Sequence, residues 1–145
     1  MDHYFLFFQK KSLPTGGAQI LFALQGNHKF ISPKKNDSSS ILHFIDKNKL
    51  IRHEDFDKNV KTENRKIYLF EVNSTQPSPE SFYLDAESVK VNWYMFPKAA
   101  SLLENSSSKV ILQLAVQYIA AGGVDESVIA ADYDEAFIRD LLDKL

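Results

Sequence analysis

The residues best suited to chemistry in this sequence lie in one short segment, His53-Glu54-Asp55-Phe56-Asp57. A histidine beside several carboxylates can hold a divalent metal ion or transfer protons, provided that the side chains converge in three dimensions. The spacing gives little support to such a site, because the second histidine of an H-E-x-x-H helix is missing and His43 lies ten residues upstream. We therefore interpret the segment as a solvated charged loop. The alternative is a small metal-dependent or acid–base hydrolase that uses His53, Glu54, Asp55 and Asp57.

Other kinds of reactive site are excluded or unsupported. The chain has no cysteine, which excludes thiolate metal sites, disulfides and cysteine nucleophiles. The serine runs at 38–40 and 106–108 do not fit the G-x-S-x-G pattern of a nucleophilic serine, and both suit the N-caps of helices. The five glycines form neither of the common glycine-rich phosphate-binding patterns. We therefore expect no catalytic residue, no bound metal and no cofactor.

A basic surface is expected between Lys29 and Arg52, where lysines alternate with Phe30 and Phe44. Lysines beside aromatic rings can contact phosphates and stack on the bases of single-stranded nucleic acids. However, lysine outnumbers arginine fourteen to three, which leaves few guanidinium groups for bidentate recognition of phosphate or guanine. Nucleic-acid binding is therefore disfavoured. The basic surface consists of Lys34, Lys35, Lys47 and Lys49.

The charges are divided unevenly along the chain. Residues 1–66 carry twelve Lys or Arg and seven Asp or Glu, whereas residues 67–145 carry five and twelve. Opposite charge on two parts of a small protein can orient a charged partner or attract a second copy. Much of the acidity falls in residues 125–145, where we predict an acidic amphipathic helix over 126–145 that binds a partner or packs onto the preceding helix. The predicted partner-binding residues are Asp134, Glu135, Phe137, Ile138, Leu141 and Leu142.

The elements that must position these residues are β-strands in the first two thirds of the chain. The run Tyr4–Phe8 is aromatic or aliphatic throughout, which predicts a strand covered on both faces. Residues 41–51 fit either a short helix followed by a new element or a hairpin. Residues 52–66 are dominated by charge and are predicted to be a solvated connection. Further strands are predicted at 20–24, 29–32, 67–72, 81–84 and 89–95. A helix is the alternative for residues 18–25, because a short apolar run cannot be assigned by its period alone.

Three helices are predicted in the last third of the chain, at 97–104, 108–121 and 126–145. The second of these is apolar nearly all round, and Gln113 and Gln117 are its main polar positions. A helix with so little polar surface belongs in the centre of a core or against a partner.

These patterns indicate an α+β fold in one domain, residues 1–145. We expect a largely antiparallel sheet from residues 3–96, packed against two or three C-terminal helices. No run reaches the roughly 18 apolar residues of a membrane-spanning helix, so no membrane location is expected. The absence of cysteine favours the reducing cytoplasm. The residues expected in the core include Phe5, Phe7, Phe22, Phe70, Trp93 and Leu114.

The sequence therefore favours a non-enzymatic protein–protein interaction module. Three features support this function: the uneven charge, the acidic amphipathic C-terminus and the lack of a recognisable catalytic spacing. Small α+β proteins include adaptors, chaperone-like proteins and toxin-neutralising proteins, which is an analogy at the level of fold alone. The expected partner is another protein, and a second copy of the chain, forming a homodimer, is one such partner.

Overall fold

A computed structural model describes residues 2–12, 18–47, 49–53, 65–73, 80–84, 89–120, 131–132 and 135–144. Seven strands, four α-helices and a short 3-10 helix at Lys35–Asp37 lie within these residues. The strands are β1 (Asp2–Ser12), β2 (Ala18–Gln25), β3 (Lys49–His53), β4 (Arg65–Asn73), β5 (Phe82–Leu84), β6 (Val89–Met95) and β7 (Ala131–Asp132). The α-helices are α1 (Ser38–Lys47), α2 (Phe96–Leu102), α3 (Ser106–Ala120) and α4 (Glu135–Asp143).

The seven described strands form one sheet in the order β5-β6-β2-β1-β4-β3-β7. Strand β1 lies in the middle, where it pairs antiparallel with β2 and parallel with β4. The other described pairs are antiparallel. The prediction of an α+β fold with a largely antiparallel sheet is therefore confirmed.

Strand β1 is apolar on both sides because helices cover both faces of the sheet. Leu6 and Phe8 belong to a core that α2 and α3 complete. Phe5 and Phe7 point the other way, into a core that α1 and α4 complete. This alternation follows from the two-residue period of a strand. The sheet is thus the middle layer of three, and α1 joins the C-terminal helix α4 on the second face.

Aromatic rings fill the second face. Phe7 packs against Phe70 and Phe44, with ring centroids 5.6 Å and 5.3 Å apart. Phe44 of α1 in turn stacks on Phe82 of β5 at 4.6 Å. Tilted and offset ring pairs at these distances add to the free energy gained by burial alone. Phe44 therefore holds α1 against both the centre and one edge of the sheet.

The expected core is confirmed for its four phenylalanines, which are all buried. Trp93 and Leu114 differ from the prediction, because both are only partly buried. Trp93 lies on β6, the second strand from the edge of the sheet. Leu114 lies on the side of α3, between its buried and exposed positions.

Several predicted elements need correction. Residues 29–32 are not a strand, and Ile31 forms a single bridge to Phe5. Of the two alternatives for residues 41–51, the structure shows the helix followed by a new element: α1 runs to Lys47 and β3 begins at Lys49. Arg65 and Lys66, expected in a solvated connection, begin β4.

The C-terminal helix also begins later than predicted. Helix α4 starts at Glu135, whereas the predicted helix started at residue 126. Ala131 and Asp132 pair with β3 as β7. This pairing is a contact with a distant part of the chain, and local periodicity gives no sign of it.

Candidate functional site

The predicted acid–base cluster falls mostly outside the described residues. His53 ends β3, where its backbone pairs opposite Leu69 of β4. The His53 side chain and all of Glu54, Asp55 and Asp57 lie outside the described parts. His43 is exposed on α1. Within the residues that the structure describes, no group of three or more histidines and carboxylates could hold a metal ion.

The predicted basic surface is spread around the ends of α1. Lys34 and Lys35 are exposed at the 3-10 turn before α1. The backbone N–H of Lys34 donates a hydrogen bond to the Asp37 carboxylate over 2.9 Å, which fixes this turn. Lys47 ends α1 and Lys49 begins β3, and the side chains of these two lysines lie outside the described parts.

The predicted partner-binding residues of the C-terminus divide into two groups. Leu141 and Leu142 are 8% and 1% exposed and pack into the core on the second face of the sheet. Asp134 lies outside the described residues, as do the side chains of Glu135, Phe137 and Ile138. The two leucines are thus used by the protein's own core. The surface role of the other four residues stays a prediction.

The outward side of α4 carries charges of both signs over its described residues. Arg139, Asp140 and Asp143 are exposed on the helix, and Lys144 is exposed just after it. Helix α4 contacts α1, whereas α3 completes the core on the opposite face. The final helix therefore does not pack onto the preceding one, which corrects that expectation.

Helix α3 has an exposed side with very little charge, which we call the α3 outer face. Its residues recur every three or four positions, so they form one stripe along the helix. Lys109 is the one charged residue in all of α3. Val110 is 58% exposed, a large fraction for an aliphatic side chain. The α3 outer face consists of Ser106, Val110, Gln113, Gln117 and Ala120.

A second feature is a cleft of about 380 Å³ beside the first turn of α3, which we call the basic cleft. It combines cationic, hydroxyl and aromatic side chains from four separate parts of the chain. The residues that give it its chemistry are Tyr4, His28, Lys29, Arg65, Glu104 and Ser108.

The parallel pairing of β1 and β4 places Tyr4 and Arg65 together in the basic cleft. The Arg65 guanidinium carbon lies 5.4 Å from the centroid of the Tyr4 ring. Its Nη1 donates a hydrogen bond to the Ser107 hydroxyl over 3.4 Å. These contacts direct the cation toward the start of α3.

Asn105 shapes the wall formed by α3. Its side-chain Oδ1 accepts hydrogen bonds from the backbone N–H groups of Ser107 and Ser108, at 2.8 Å and 3.4 Å. Asn105 is therefore the N-cap of α3. The serines at 106–108, which the sequence suggested as caps, lie inside the first turn.

The turn after β2 supplies His28 and Lys29. His28 has a φ of 59°, the left-handed region that residues with a Cβ rarely adopt. Its backbone N–H donates to the Gln25 carbonyl over 2.8 Å. The buried Gln25 side chain accepts a hydrogen bond from the Ser32 N–H over 3.2 Å and donates one to Asn27 over 3.2 Å. Gln25 thus holds both ends of the turn in place.

Sequence reasoning missed the basic cleft. The residues that line it come from positions 4, 27–30, 65 and 103–108, and none of these segments has a motif of its own. A weak signal was present in Asn105, since asparagine before a helix often caps it. No local signal marked Arg65, because its place depends on pairing between β4 and the distant β1.

Comparison with protein-family models, curated proteins and solved structures gives no match. None of the described helices is long and apolar enough to cross a membrane.

Proposed function

We propose that this protein is a non-enzymatic interaction protein that binds another protein through the α3 outer face. The observation that supports this function is a solvent-facing helix side almost without charge. A surface helix normally turns charged residues toward water, and α4 does so with Arg139, Asp140 and Asp143. Helix α3 instead exposes Val110 and, further along the helix, Ala120.

The chemistry of the α3 outer face suits an uncharged partner surface. A partner that covers Val110 removes apolar area from water, at about 25 cal/mol per Å². Gln113 and Gln117 lie one turn apart, and each amide can both donate and accept hydrogen bonds. The α3 outer face offers no acidic residue to a charged partner, and Lys109 is the one basic residue of α3. A second copy of this chain offers a matching neutral surface in its own α3.

The interface must extend beyond α3. Fifteen residues of helix span about 22 Å, whereas a typical stable interface buries about 800 Å² on each partner. Helix α2 contacts α3 and exposes Pro97, Lys98 and Ser101. We therefore expect the partner to cover parts of both helices.

The uneven charge of the chain supports the same function in a secondary way. Separated regions of opposite charge speed the encounter of two proteins and orient them. We propose that the protein acts in the cytoplasm, since a chain without cysteine suits a reducing compartment. Adaptor, chaperone-like and toxin-neutralising roles are the three forms that such an interaction would take.

The substitution Val110→Lys tests the proposal, because it places a positive charge at an interface that offers no acid. We expect the affinity to fall at least about tenfold, which corresponds to about 1.4 kcal/mol. Sedimentation equilibrium of the full chain measures self-association. Affinity purification of the same variants measures the retention of other proteins.

The matched control is Tyr83→Lys. Tyr83 is 58% exposed, as is Val110, but it lies on the edge strand β5. The control should leave association unchanged. The proposal fails if the two substitutions have equal effects, or if the protein is monomeric and retains no protein in a Val110-dependent way.

A further inference from the structure

We infer that the basic cleft binds the phosphate group of a small organic phosphate. This inference goes beyond the interaction through the α3 outer face and does not depend on it. Three of the side-chain donors that line the cleft come from three separate segments: Arg65 of β4, Lys29 of the turn after β2, and Ser108 of α3. Donors from three directions suit a compact anion with several acceptor oxygens.

Ser108 points most directly to a ligand. Its side chain is 9% exposed and lines the cleft. Its backbone N–H is bonded to Asn105, but its hydroxyl forms no hydrogen bond to any residue that the structure describes. Ser108 lies on the wall of the cleft, and a serine hydroxyl can donate a hydrogen bond to an acceptor oxygen of a bound ligand.

Arg65 and Lys29 supply the positive charge. A guanidinium carries five N–H donors in a planar fork and stays charged at physiological pH, which suits it to phosphate. The contacts of Arg65 with Tyr4 and Ser107 hold this group at the cleft. Lys29 is exposed at the rim and forms no ion pair with a described residue.

The number of donors favours phosphate over carboxylate. A phosphate monoester presents three terminal oxygens in a tetrahedral arrangement, so the three donors can each reach a different oxygen. A carboxylate has two oxygens in one plane and one negative charge, so it is less suited to donors from three directions and balances less positive charge than a phosphate monoester does.

The size and lining of the cleft favour an organic ester over inorganic phosphate. A volume of about 380 Å³ is within the range of sites for small organic molecules. Leu103 and the rings of Tyr4 and Phe30, whose centroids are 6.4 Å apart, provide apolar surface for the organic part.

Two further residues shape the specificity of the cleft. Glu104 is exposed at the cleft and repels an anion. His28 lies there in a disfavoured left-handed conformation, and such backbone strain is concentrated at binding sites. The His28 ring packs edge-on against Tyr94 at 6.4 Å, which fixes its position.

The test is calorimetric titration of the full chain with phenyl phosphate, inorganic phosphate and benzoate. We expect phenyl phosphate to bind tightest, inorganic phosphate more weakly and benzoate weakest. Arg65→Gln and Ser108→Ala should each weaken phenyl phosphate binding about tenfold. Glu104→Gln should strengthen it, because a repelling charge is removed. Raising the salt concentration should weaken binding to the wild type.

The matched control is Lys66→Gln, one residue along β4 from Arg65. Lys66 lies on the opposite face of the sheet, with its ammonium 5.8 Å from the Tyr68 ring centroid, and this substitution removes the same charge. It should leave binding unchanged. If Arg65→Gln fails to fold, Ser108→Ala still decides the question, since the Ser108 hydroxyl bonds no described residue.

Three results would overturn the inference. One is the absence of saturable binding for both phosphate compounds. Another is tighter binding of benzoate than of phenyl phosphate, which would indicate a carboxylate site. The last is an equal loss of affinity in Lys66→Gln and Ser108→Ala, which would mean that the compounds respond to overall charge and not to the cleft.

Discussion

Helices α3 and α4 lie on opposite faces of the same sheet and differ in their outward sides. Both turn aliphatic residues inward: Ile111 and Leu112 from α3, Leu141 and Leu142 from α4. The outward side of α4 is charged in its described part, whereas α3 carries one charged residue in fifteen. The two helices thus both bury aliphatic side chains against the sheet, but they differ in how much charge they expose to the solvent.

This difference distinguishes two kinds of surface helix. In the described part of its side chains, helix α4 has an apolar inner side at Leu141 and Leu142 and a charged outer side at Arg139, Asp140 and Asp143, and the protein's own core and the solvent account for both. The outer side of α3 is polar without charge at Gln113 and Gln117 and apolar at Val110, and it is the surface that we propose binds a partner. The strong amphipathic pattern of α4 was the reason for predicting a partner-binding site at the C-terminus. In the structure, the apolar side of this pattern covers the protein's own core.

The largest expected effect is the loss of stability when a buried leucine is truncated on either helix. It tests whether the inner sides of α3 and α4 contribute equally to the core. Leu112→Ala and Leu142→Ala each remove a buried side chain, at 0% and 1% exposure. Each should lower the free energy of unfolding by about 2–5 kcal/mol, through lost burial and the cavity left behind. Urea unfolding followed by circular dichroism measures both. A loss below about 1 kcal/mol for Leu142→Ala alone would place α4 outside the cooperative core.

A smaller effect is expected at the start of α3. Asn105→Ala removes the acceptor of two backbone N–H groups and should cost about 1 kcal/mol. Ser106→Ala, at the adjacent exposed position, should change the stability by less than about 0.5 kcal/mol. Thermal and urea unfolding of the two variants give the comparison. The reverse order would assign the cap to the serine.

The smallest effect concerns the outward side of α4. Asp140→Asn removes an exposed charge and should change the stability by less than about 0.5 kcal/mol. Association measured by sedimentation should also be unchanged, in contrast to Val110→Lys. If Asp140→Asn weakened association as strongly as Val110→Lys, the interface would lie on α4, as the acidity of the C-terminus first suggested.

Much of the fold could be predicted from local patterns. The run from Tyr4 to Phe8 has no polar residue, and both faces of β1 are indeed covered. The strand predicted at 29–32 was wrong, because two adjacent apolar residues, Phe30 and Ile31, are too short a signal. The start of α4 was also misplaced, since β7 depends on pairing with the distant β3.

The sites were harder to predict than the fold. Apolar residues nearly all round α3 suggested a core or a partner, and the structure divides these residues into a buried side and an exposed side. The basic cleft could not be predicted, because Tyr4 and Arg65 meet through a parallel pairing across the whole first half of the chain. His28 could not be singled out either, since its strained backbone is set by contacts of Gln25.

The parallel pairing of β1 with β4 also bears on how the chain folds during synthesis. Strand β1 can form a hairpin with β2 early, but its other edge pairs with residues that follow about sixty positions later. At the usual rate of about 5–20 residues per second, that edge waits roughly 3–12 s for its partner. Closing so long a loop also slows folding in the finished chain. Strand β1 is therefore made about sixty residues before its parallel partner, and during that interval its phenylalanines lie next to an unpaired edge.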